Sequence, residues 1–203
     1  MKILLTGFEP FGDHALNPSQ KLLELLPDKL EDDLILEKLI LPVDQDLAPG
    51  LILKAINKNK PDAIFAFGLA AGRARISLER IAINLMDFRI PDNTGVVISD
   101  RPVNPNGPAA YFTSLPIRSM LLALVKAGIP AEISLSAGSF LCNQVFYLIL
   151  HEITTKELPI PAGFIHLPAL PEAVAKTGKS SPSMELELIL KAAKVLFSCL
   201  SSE

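Results

Sequence analysis

The amino-acid sequence predicts a single α/β domain built on a largely parallel β-sheet. Apolar runs of strand length alternate with helical patterns along the chain, and the run at residues 62–68 is nearly continuous, as in strands that are covered on both faces. With 203 residues, of which 49% are hydrophobic and 20% charged, the chain supports one ordinary core and is too apolar for disorder. We therefore expect residues 1–203 to form one domain.

The first predicted unit is a strand over residues 1–6, an irregular GFEPFG loop and a helix. Asn17 is the expected N-cap of this helix and Pro18 its first residue, because Asn accepts from the free N–H groups there and proline has no N–H to lose. A strand and a helix follow as the second unit.

In the second unit the strand is predicted at 34–41 and the helix between Pro42 and about residue 60, with Pro49 and Gly50 expected to kink or delay it. The later predicted elements are a strand at 62–68, an extended segment at 76–89, a long loop with a possible hairpin at 90–108, a helix at 115–127, a strand at 130–136, a helix at 140–156, a strand at 163–167 and a helix at 183–200.

The extended segment carries the first candidate for chemistry. If it is one strand, residues of one parity face the same side, and Glu79 then points inward beside Ile81 and Ile83. A carboxylate in that position is costly unless a partner satisfies it. A solvated Glu79 is the alternative interpretation.

Charge and cysteine content exclude several classes of partner. The net charge is −3 and the 19 Lys and Arg residues are scattered, so nucleic acid is not expected as a partner. No apolar run approaches the roughly 18 to 20 residues that cross a bilayer, and the first apolar stretch is too short for a signal peptide, so we expect a cytoplasmic protein without a membrane partner. Cys142 and Cys199 are too few for a secreted disulfide framework and are expected as thiols.

Only three histidines are present. His166 interrupts the apolar GFIHLP run at the expected carboxyl end of its strand, which is where open α/β sheets bind ligands; a satisfied core histidine is the alternative. His151 is predicted on a polar helix stripe with Tyr147 and Thr154, and hence at the surface. His14 lies in the first loop, where a solvated position is equally compatible with the sequence.

Cys142 is the candidate nucleophile. It falls in the first turn of the predicted 140–156 helix, where the macrodipole and free N–H groups favour a thiolate and a lowered pKa. If the strands before Cys142 and around His166 are neighbours, both residues reach one edge of the sheet, and Glu79 is the candidate to orient the imidazole. Buried packing is the alternative for Cys142 and the expectation for Cys199.

Other site classes are disfavoured. The GLAAGR segment at residues 68–73 resembles an anion cradle, but it lacks the Lys-Ser/Thr of a P-loop and the third glycine of a dinucleotide site, so a tight turn is the simpler interpretation. No pair of Cys or His residues has zinc-ligand spacing. We expect neither a metal nor a cofactor.

Six motifs carry a family resemblance: LLTGFEPFG at 4–12, GLAAGR at 68–73, ISLERIAINLMDFRIPDNTG at 76–95, GPAAYFTSLPI at 107–117, GIPAEISLSAGSFLCNQVFY at 128–147 and GFIHLPALPE at 163–172. Together they resemble the pyroglutamyl peptidase I family, the pyrrolidone carboxyl peptidases, in order and over nearly the whole chain. The resemblance implies a three-layer α/β/α sandwich with a twisted, mostly parallel mixed sheet of phosphorylase/hydrolase-like type. It also implies hydrolytic removal of an N-terminal pyroglutamyl residue from peptides and proteins.

The resemblance assigns catalytic roles to three residues. Cys142 would be the nucleophile, His166 the general base and later acid, and Glu79 the carboxylate that orients His166. The family also implies a homo-oligomer, either a dimer or a tetramer.

Substrate contacts follow from the same resemblance. Phe8, Phe11 and Phe140 look like the family's wall for the pyroglutamyl ring, although core packing is the usual fate of Phe. Arg89 and Ile90 resemble residues that line the same pocket.

Three positions depart from the pattern of some family members: Leu69 replaces Gln, Val43 replaces Thr, and Ala169 stands where an aromatic is common. None of them removes a catalytic group. Two rival functions remain at this point, a nucleoside-phosphorylase-like transferase that would not need Cys142, and a non-catalytic binder of pyroglutamyl peptides.

Overall fold

The computed structural model describes residues 1–30, 34–177 and 180–200. In chain order the elements are β1 (Lys2–Phe8), α1 (Pro18–Leu25), β2 (Ile35–Leu41), α2 (Leu47–Asn59), β3 (Ala63–Leu69), β4 (Ile76–Glu79), β5 (Ile81–Ile83), β6 (Ala110–Phe112), α3 (Ile117–Lys126), β7 (Ala131–Ser134), α4 (Leu141–Thr155), β8 (Ala162–Leu167), α5 (Pro171–Thr177) and α6 (Leu186–Ser198). The predicted alternation of strands and helices is confirmed, whereas β6 and α5 were not predicted.

Six strands form one mixed sheet in the order β2-β1-β3-β8-β4-β7. The first four run parallel to one another, β4 is antiparallel to β8, and β7 is parallel to β4. The strand before Cys142 is therefore neither parallel to β8 nor next to it, so that expectation was wrong. Strands β5 and β6 form a separate antiparallel pair.

Helices cover both faces of the large sheet. Ile3 and Leu5 of β1 belong to a core shared with α1, α3 and α6. Leu4, between them, belongs to a second core shared with α2 and α4. This alternation follows from the period of two in a strand, and it produces the predicted three-layer α/β/α sandwich.

The first helix begins as predicted. The Asn17 side chain accepts a hydrogen bond from the Ser19 N–H at 3.1 Å, and Pro18 is the first helical residue. The Ser19 hydroxyl in turn accepts from the Phe8 N–H at 2.9 Å, which fixes the start of α1 against the end of β1.

The expected interruption of the second helix is absent. Helix α2 includes Pro49 and Gly50 in its first turn. The first N–H groups of a helix have no acceptor within the helix, so the missing N–H of proline costs no hydrogen bond there. The carboxylate of Asp44 accepts from the N–H groups of Asp46 and Leu47, and this local cap sets the start of the helix.

The extended segment that begins at Ile76 is two strands rather than one. It breaks at Arg80, so that Glu79 lies in the large sheet and Ile81 in the small one. The prediction that Glu79 points inward is confirmed, because its side chain is completely buried. From residue 84 to 109 there is no helix or strand, so the loop predicted at 90–108 is confirmed and the extended prediction is wrong for 84–89. A single antiparallel bridge joins Met86 to Arg101.

Within the ranges that the structure describes, no helix is long and apolar enough to span a bilayer.

Candidate active site

A cavity of about 790 Å³ opens at the sheet edge where β3 and β8 end. Its walls come from the segment after β1, the turn after β3, the loop after β5, the residues that lead into α4, and β8. Six of the eight predicted site residues line it: Phe11, Arg89, Ile90, Phe140, Cys142 and His166.

Behind the cavity, His166 is held by Glu79. The two residues lie on β8 and β4, which are antiparallel neighbours, and His166 Nδ1 is 2.8 Å from Glu79 Oε1. A carboxylate oxygen accepts hydrogen bonds, so this contact assigns the imidazole proton to Nδ1. The lone pair of Nε2 is then available on the other side of the ring.

Arg73 contacts the same carboxylate from the turn after β3. Its Nη1 lies 2.7 Å from Glu79 Oε1, and its Nη2 donates to the carbonyl of Ser136 at 3.0 Å. The other oxygen, Glu79 Oε2, has no hydrogen-bond partner among the described residues. Arg73 and His166 therefore converge on a single oxygen of a completely buried carboxylate.

Cys142 is the second residue of α4 and lines the same cavity as His166. Gly68 on β3 pairs in register with His166, and a Cβ atom added to Gly68 would lie only 2.9 Å from Cys142 Sγ. The sulfur is thus packed against the backbone of the strand next to His166.

The chain brings Cys142 there by a route other than the predicted one. Because β7 runs antiparallel to β8, the segment from residue 135 to 140 must return to the edge where β8 ends. Two contacts fix this segment: Arg73 holds the Ser136 carbonyl, and the Ser139 hydroxyl donates to the Asp87 carbonyl at 2.6 Å.

Burial raises the pKa of the Cys142 thiol to about 12, and the charge of Glu79 acts in the same direction. The backbone N–H of Cys142 and the charge of Arg73 lower it but are outweighed. The predicted lowering of this pKa at the helix N-terminus is therefore wrong for the free site. Near pH 7 the thiol carries its proton.

Aromatic rings form one wall of the cavity. Phe140 lies with its ring centroid 5.8 Å from that of Phe11 and 4.7 Å from that of Phe88, in an edge contact. Phe8 is buried, packs against Phe164, and borders a small recess beside Cys142 that Phe11 and Phe140 also line.

Comparison with known proteins gives the family. A family model described as "Pyroglutamyl peptidase" matches residues 1–202. The chain belongs to the pyroglutamyl peptidase family. The pyrrolidone-carboxylate peptidase of Pyrococcus furiosus is 46% identical over 199 residues, which cover 96% of this chain and 95% of that one. The protein of the same name from Treponema denticola is 46% identical over 195 residues, covering 94% and 89%.

Solved structures agree with this assignment and confirm the predicted fold class. A glutamate-to-glutamine variant of the P. furiosus pyrrolidone carboxyl peptidase superposes with a TM-score of 0.96 at 43% identity, covering 100% of this chain and 99% of that one. Membership of the pyroglutamyl peptidase family makes the chain a cysteine-type hydrolase.

Sequence reasoning missed Arg73, which the pyroglutamyl peptidase fold places on Glu79. The residue ends the GLAAGR motif, but only the pairing of β4 with β8 reveals its partner. It also missed Asn143, beside the candidate nucleophile. The Asn143 amide binds the backbone of Ile83 in both directions and the carbonyl of Leu85, so it fixes a cavity-lining segment to α4.

Two predicted histidine environments are now defined. His14 lines the cavity, with its ring centroid 5.7 Å from that of Phe11. His151 is not on a polar stripe, because Tyr147 is completely buried and the His151 ring contacts Asn104 and Tyr111 at 2.9 and 2.8 Å. That prediction was wrong, since the long loop and β6 cover this side of α4.

The remaining positions divide between the cavity and the core. Leu69, where some pyroglutamyl peptidases carry Gln, lines the cavity, whereas Val43 and Ala169 are buried.

Arg89 is exposed at the rim and has no hydrogen-bond or ion-pair partner in the described part of the chain. Cys199 is half-buried against the α1, α3 and α6 core. Within the described ranges, no group of three His, Cys, Asp or Glu residues is placed to hold a metal ion.

Proposed function

We propose that this member of the pyroglutamyl peptidase family hydrolyses the bond after an N-terminal pyroglutamyl residue, with Cys142 as nucleophile, His166 as general base and acid, and Glu79 as the orienting carboxylate. One observation carries the assignment: Glu79 holds His166 through Nδ1, which leaves Nε2 as the basic nitrogen of a cavity that Cys142 also lines. The family assignment supports the reaction, and this geometry supports the roles.

The reaction starts from a neutral thiol. Because the Cys142 pKa is raised, we infer that the proton moves from Sγ to His166 Nε2 as Sγ attacks the pyroglutamyl carbonyl carbon. The imidazolium that forms is stabilised by the Glu79 carboxylate at Nδ1. The tetrahedral intermediate collapses when His166 gives its proton to the leaving amine, which forms a thioester.

Hydrolysis of the thioester uses the same groups. His166 takes a proton from water, the hydroxide attacks the thioester carbon, and the proton returns to sulfur as pyroglutamate leaves. The free N–H groups in the first turn of α4 lie beside the sulfur and suit the developing oxyanion.

Specificity has a physical basis in the wall of the cavity. A pyroglutamyl ring carries no ammonium group, so its site needs apolar surface and a few lactam hydrogen bonds rather than an anion for a free amine. Phe11 and Phe140 supply that surface in the cavity, and Phe8 lines the recess that adjoins it. Arg89 and Ile90 border the opening, where the rest of the peptide would leave the site.

We also infer the setting in which the reaction occurs. The two cores share one sheet, which supports residues 1–203 as one catalytic domain. Both cysteines are unpaired, which suits the reducing cytoplasm. The family resemblance implies a dimer or tetramer, and exposed apolar residues such as Leu122 and Val125 on α3 suit such a contact.

The test is the release of fluorophore from a pyroglutamyl aminocoumarin amide by the purified protein with a thiol reductant. Cys142→Ala should abolish turnover, and Cys199→Ala, which removes the other thiol, should retain it. The alanyl amide, which has a free amine, should not be cleaved. Absence of turnover by folded, reduced protein would overturn the proposal, as would activity in Cys142→Ala, which a phosphorylase-like reaction would permit.

A further inference from the structure

Glu79 is a completely buried charge with an unusual distribution of partners. Both of its contacts, from His166 Nδ1 and from Arg73 Nη1, fall on Oε1, and Oε2 has no partner within the described ranges. A buried carboxylate is stable only when it is paired and hydrogen bonded. When His166 is neutral, Arg73 is the only one of these two partners that brings a positive charge.

Arg73 also connects three parts of the site. Its own turn follows β3, its Nη1 reaches Glu79 at the end of β4, and its Nη2 holds the carbonyl of Ser136 in the segment that leads to Cys142. A weaker contact at 3.4 Å joins Nη1 to the Ser134 hydroxyl. One guanidinium therefore links the carboxylate that orients the base to the segment that carries the nucleophile.

We propose that Arg73 is a positioning residue of this active site, which holds Glu79 ionised in the orientation that His166 requires and holds the 134–140 segment in place beside it. The proposal rests on the proposed function, because it assigns Arg73 to the same Cys142, His166 and Glu79 set. A lysine cannot replace the geometry fully, since an ammonium is a compact point charge and lacks the planar fork that reaches two acceptors at once.

The charges around Glu79 define the expected electrostatic effect. Arg73, His166 and Cys142 lie nearest, Arg80 follows on the chain, and Glu132 lies on the adjacent strand β7. Asp87, Arg89 and His14 are the other charged or titratable residues that line the cavity. Loss of the Arg73 charge makes the Glu79 and His166 pair bind a proton more tightly, and it also removes the positive charge that favours the Cys142 thiolate.

The experiment compares Arg73→Gln and Arg73→Lys with Arg75→Gln. Arg75 is the matched control, because it lies two residues away in the same turn, is exposed, and has no hydrogen bond or ion pair with other described residues. Folding of each variant is checked by circular dichroism and thermal melting. Activity is measured as kcat and KM on the pyroglutamyl amide between pH 5 and 9, and reactivity as the rate of Cys142 alkylation by iodoacetamide at pH 8 without substrate.

For Arg73→Gln we expect kcat to fall about 30-fold or more, with KM changed by less than about threefold, because the general base is misplaced while the ring wall is intact. The acidic limb of kcat/KM should move up by about 0.5 to 1 pH unit, and alkylation should be several-fold slower. Arg73→Lys keeps the positive charge but lacks the planar fork, so its pH profile should be close to that of the wild type while its kcat should lie between those of Arg73→Gln and the wild type. Arg75→Gln should match the wild type in all three measurements.

Three results would overturn the proposal: an unchanged kcat and pH profile in Arg73→Gln, a raised KM with an unchanged kcat, or an equal effect in Arg75→Gln. If Arg73→Gln does not fold, the kcat of Arg73→Lys decides, and a wild-type kcat there also overturns the proposal. The failure of the proposed function is distinct, because the wild type itself would then not cleave the amide. In that case alkylation of Cys142, which needs no substrate, still tests whether Arg73 acts on the site.

Discussion

At the scale of single residues, Cys142 is where two opposing physical effects meet. The N-terminus of α4 supplies free N–H groups and a positive dipole end, both of which favour a thiolate. Burial and the negative charge of Glu79 oppose them and are larger, so the pKa of the thiol is raised to about 12. Under the proposed mechanism, the thiol therefore loses its proton during the attack rather than resting as a thiolate.

This difference predicts how alkylation of Cys142 depends on pH. Because the neutral thiol dominates, the rate of inactivation by iodoacetamide should rise about tenfold per pH unit between about pH 6 and 9, following the thiolate fraction. The measurement uses a Cys199→Ala protein, so that Cys142 is its single thiol, and follows both residual activity and the mass of the adduct. A rate that is constant over this range would instead mean a preformed thiolate and imidazolium pair.

The sequence alone could point to the rare residue types at the cavity, a histidine and a cysteine, and to the buried glutamate. It could not point to the residues that hold these side chains in place. His166 stands at the end of a strand, Cys142 in the first turn of a helix, and Glu79 beside apolar neighbours. Arg73 is one of 19 Lys and Arg residues, and although it ends the GLAAGR motif, nothing in the neighbouring sequence indicates that Glu79 is its partner. Its role depends on which strands pair, which a single sequence does not specify.

At the scale of elements, β3 and the start of α4 approach each other closely at Gly68. An added Cβ at this position would lie 2.8 Å from Phe164 Cζ and 2.9 Å from Cys142 Sγ. Phe164 in turn packs on His166, with 4.9 Å between the ring centroids. Glycine is therefore required here to let the start of α4, with Cys142, and β8 meet over β3.

We predict that Gly68→Ala lowers kcat/KM about tenfold or more and destabilises the protein by about 1 to 3 kcal/mol, because the methyl group displaces Cys142 or Phe164. Gly50→Ala in α2 is the control, since nothing lies within 4 Å of its added Cβ. It should leave kcat/KM unchanged and raise stability by about 0.5 to 1 kcal/mol through its helix propensity. Wild-type kcat/KM in Gly68→Ala, read alongside the denaturation curves, would contradict this account of the packing.

The elements that form from local signals were predicted well. The Asn17 cap and the apolar run of β3 depend only on residues that are adjacent in the sequence, and both are confirmed. The break at Arg80 and the antiparallel direction of β4 and β7 were missed, because strand direction is decided by distant pairing partners. The direction of β7 decides how residues 135–140 reach the cavity. The predicted path of this segment was therefore wrong, although the strand before it and the helix after it were both predicted.

At the scale of the whole molecule, a buried carboxylate joins the middle of the long loop from residue 84 to 109 to the segment before α2. Asp92 Oδ1 accepts from the N–H and hydroxyl of Thr94 and from the Val96 N–H, and Oδ2 accepts from the Gln45 N–H before α2. The adjacent Asn93 amide donates to Glu9 Oε1 and to the Pro10 carbonyl. Three distant parts of the chain thus meet behind the wall of the cavity.

Acid stability tests this connection. Burial acts to raise the pKa of Asp92, but the hydrogen bonds from Thr94, Gln45 and Val96 outweigh it, and the pKa is lowered from its ordinary 3.8. The folded protein therefore binds this proton less tightly than the unfolded chain does. Its contribution to stability is fully present above about pH 3.8 and is lost as the pH falls through the lower, folded-state pKa.

Asp92→Asn should accordingly lower the free energy of unfolding by about 1 to 3 kcal/mol at pH 7, because an amide leaves at least one of these donors without an acceptor. The deficit relative to wild type should shrink as the pH falls below about 3.8, because the unfolded wild-type chain then binds the proton at Asp92 more tightly than the folded protein does. Denaturant unfolding at pH 7, 5, 4 and 3 measures both effects, and Asp13→Asn, at an exposed position in the first loop, should follow the wild type throughout. A deficit that stays constant from pH 7 to 3 would mean that shape rather than charge at Asp92 holds the loop, and no deficit at all would mean that the loop is held by its other contacts.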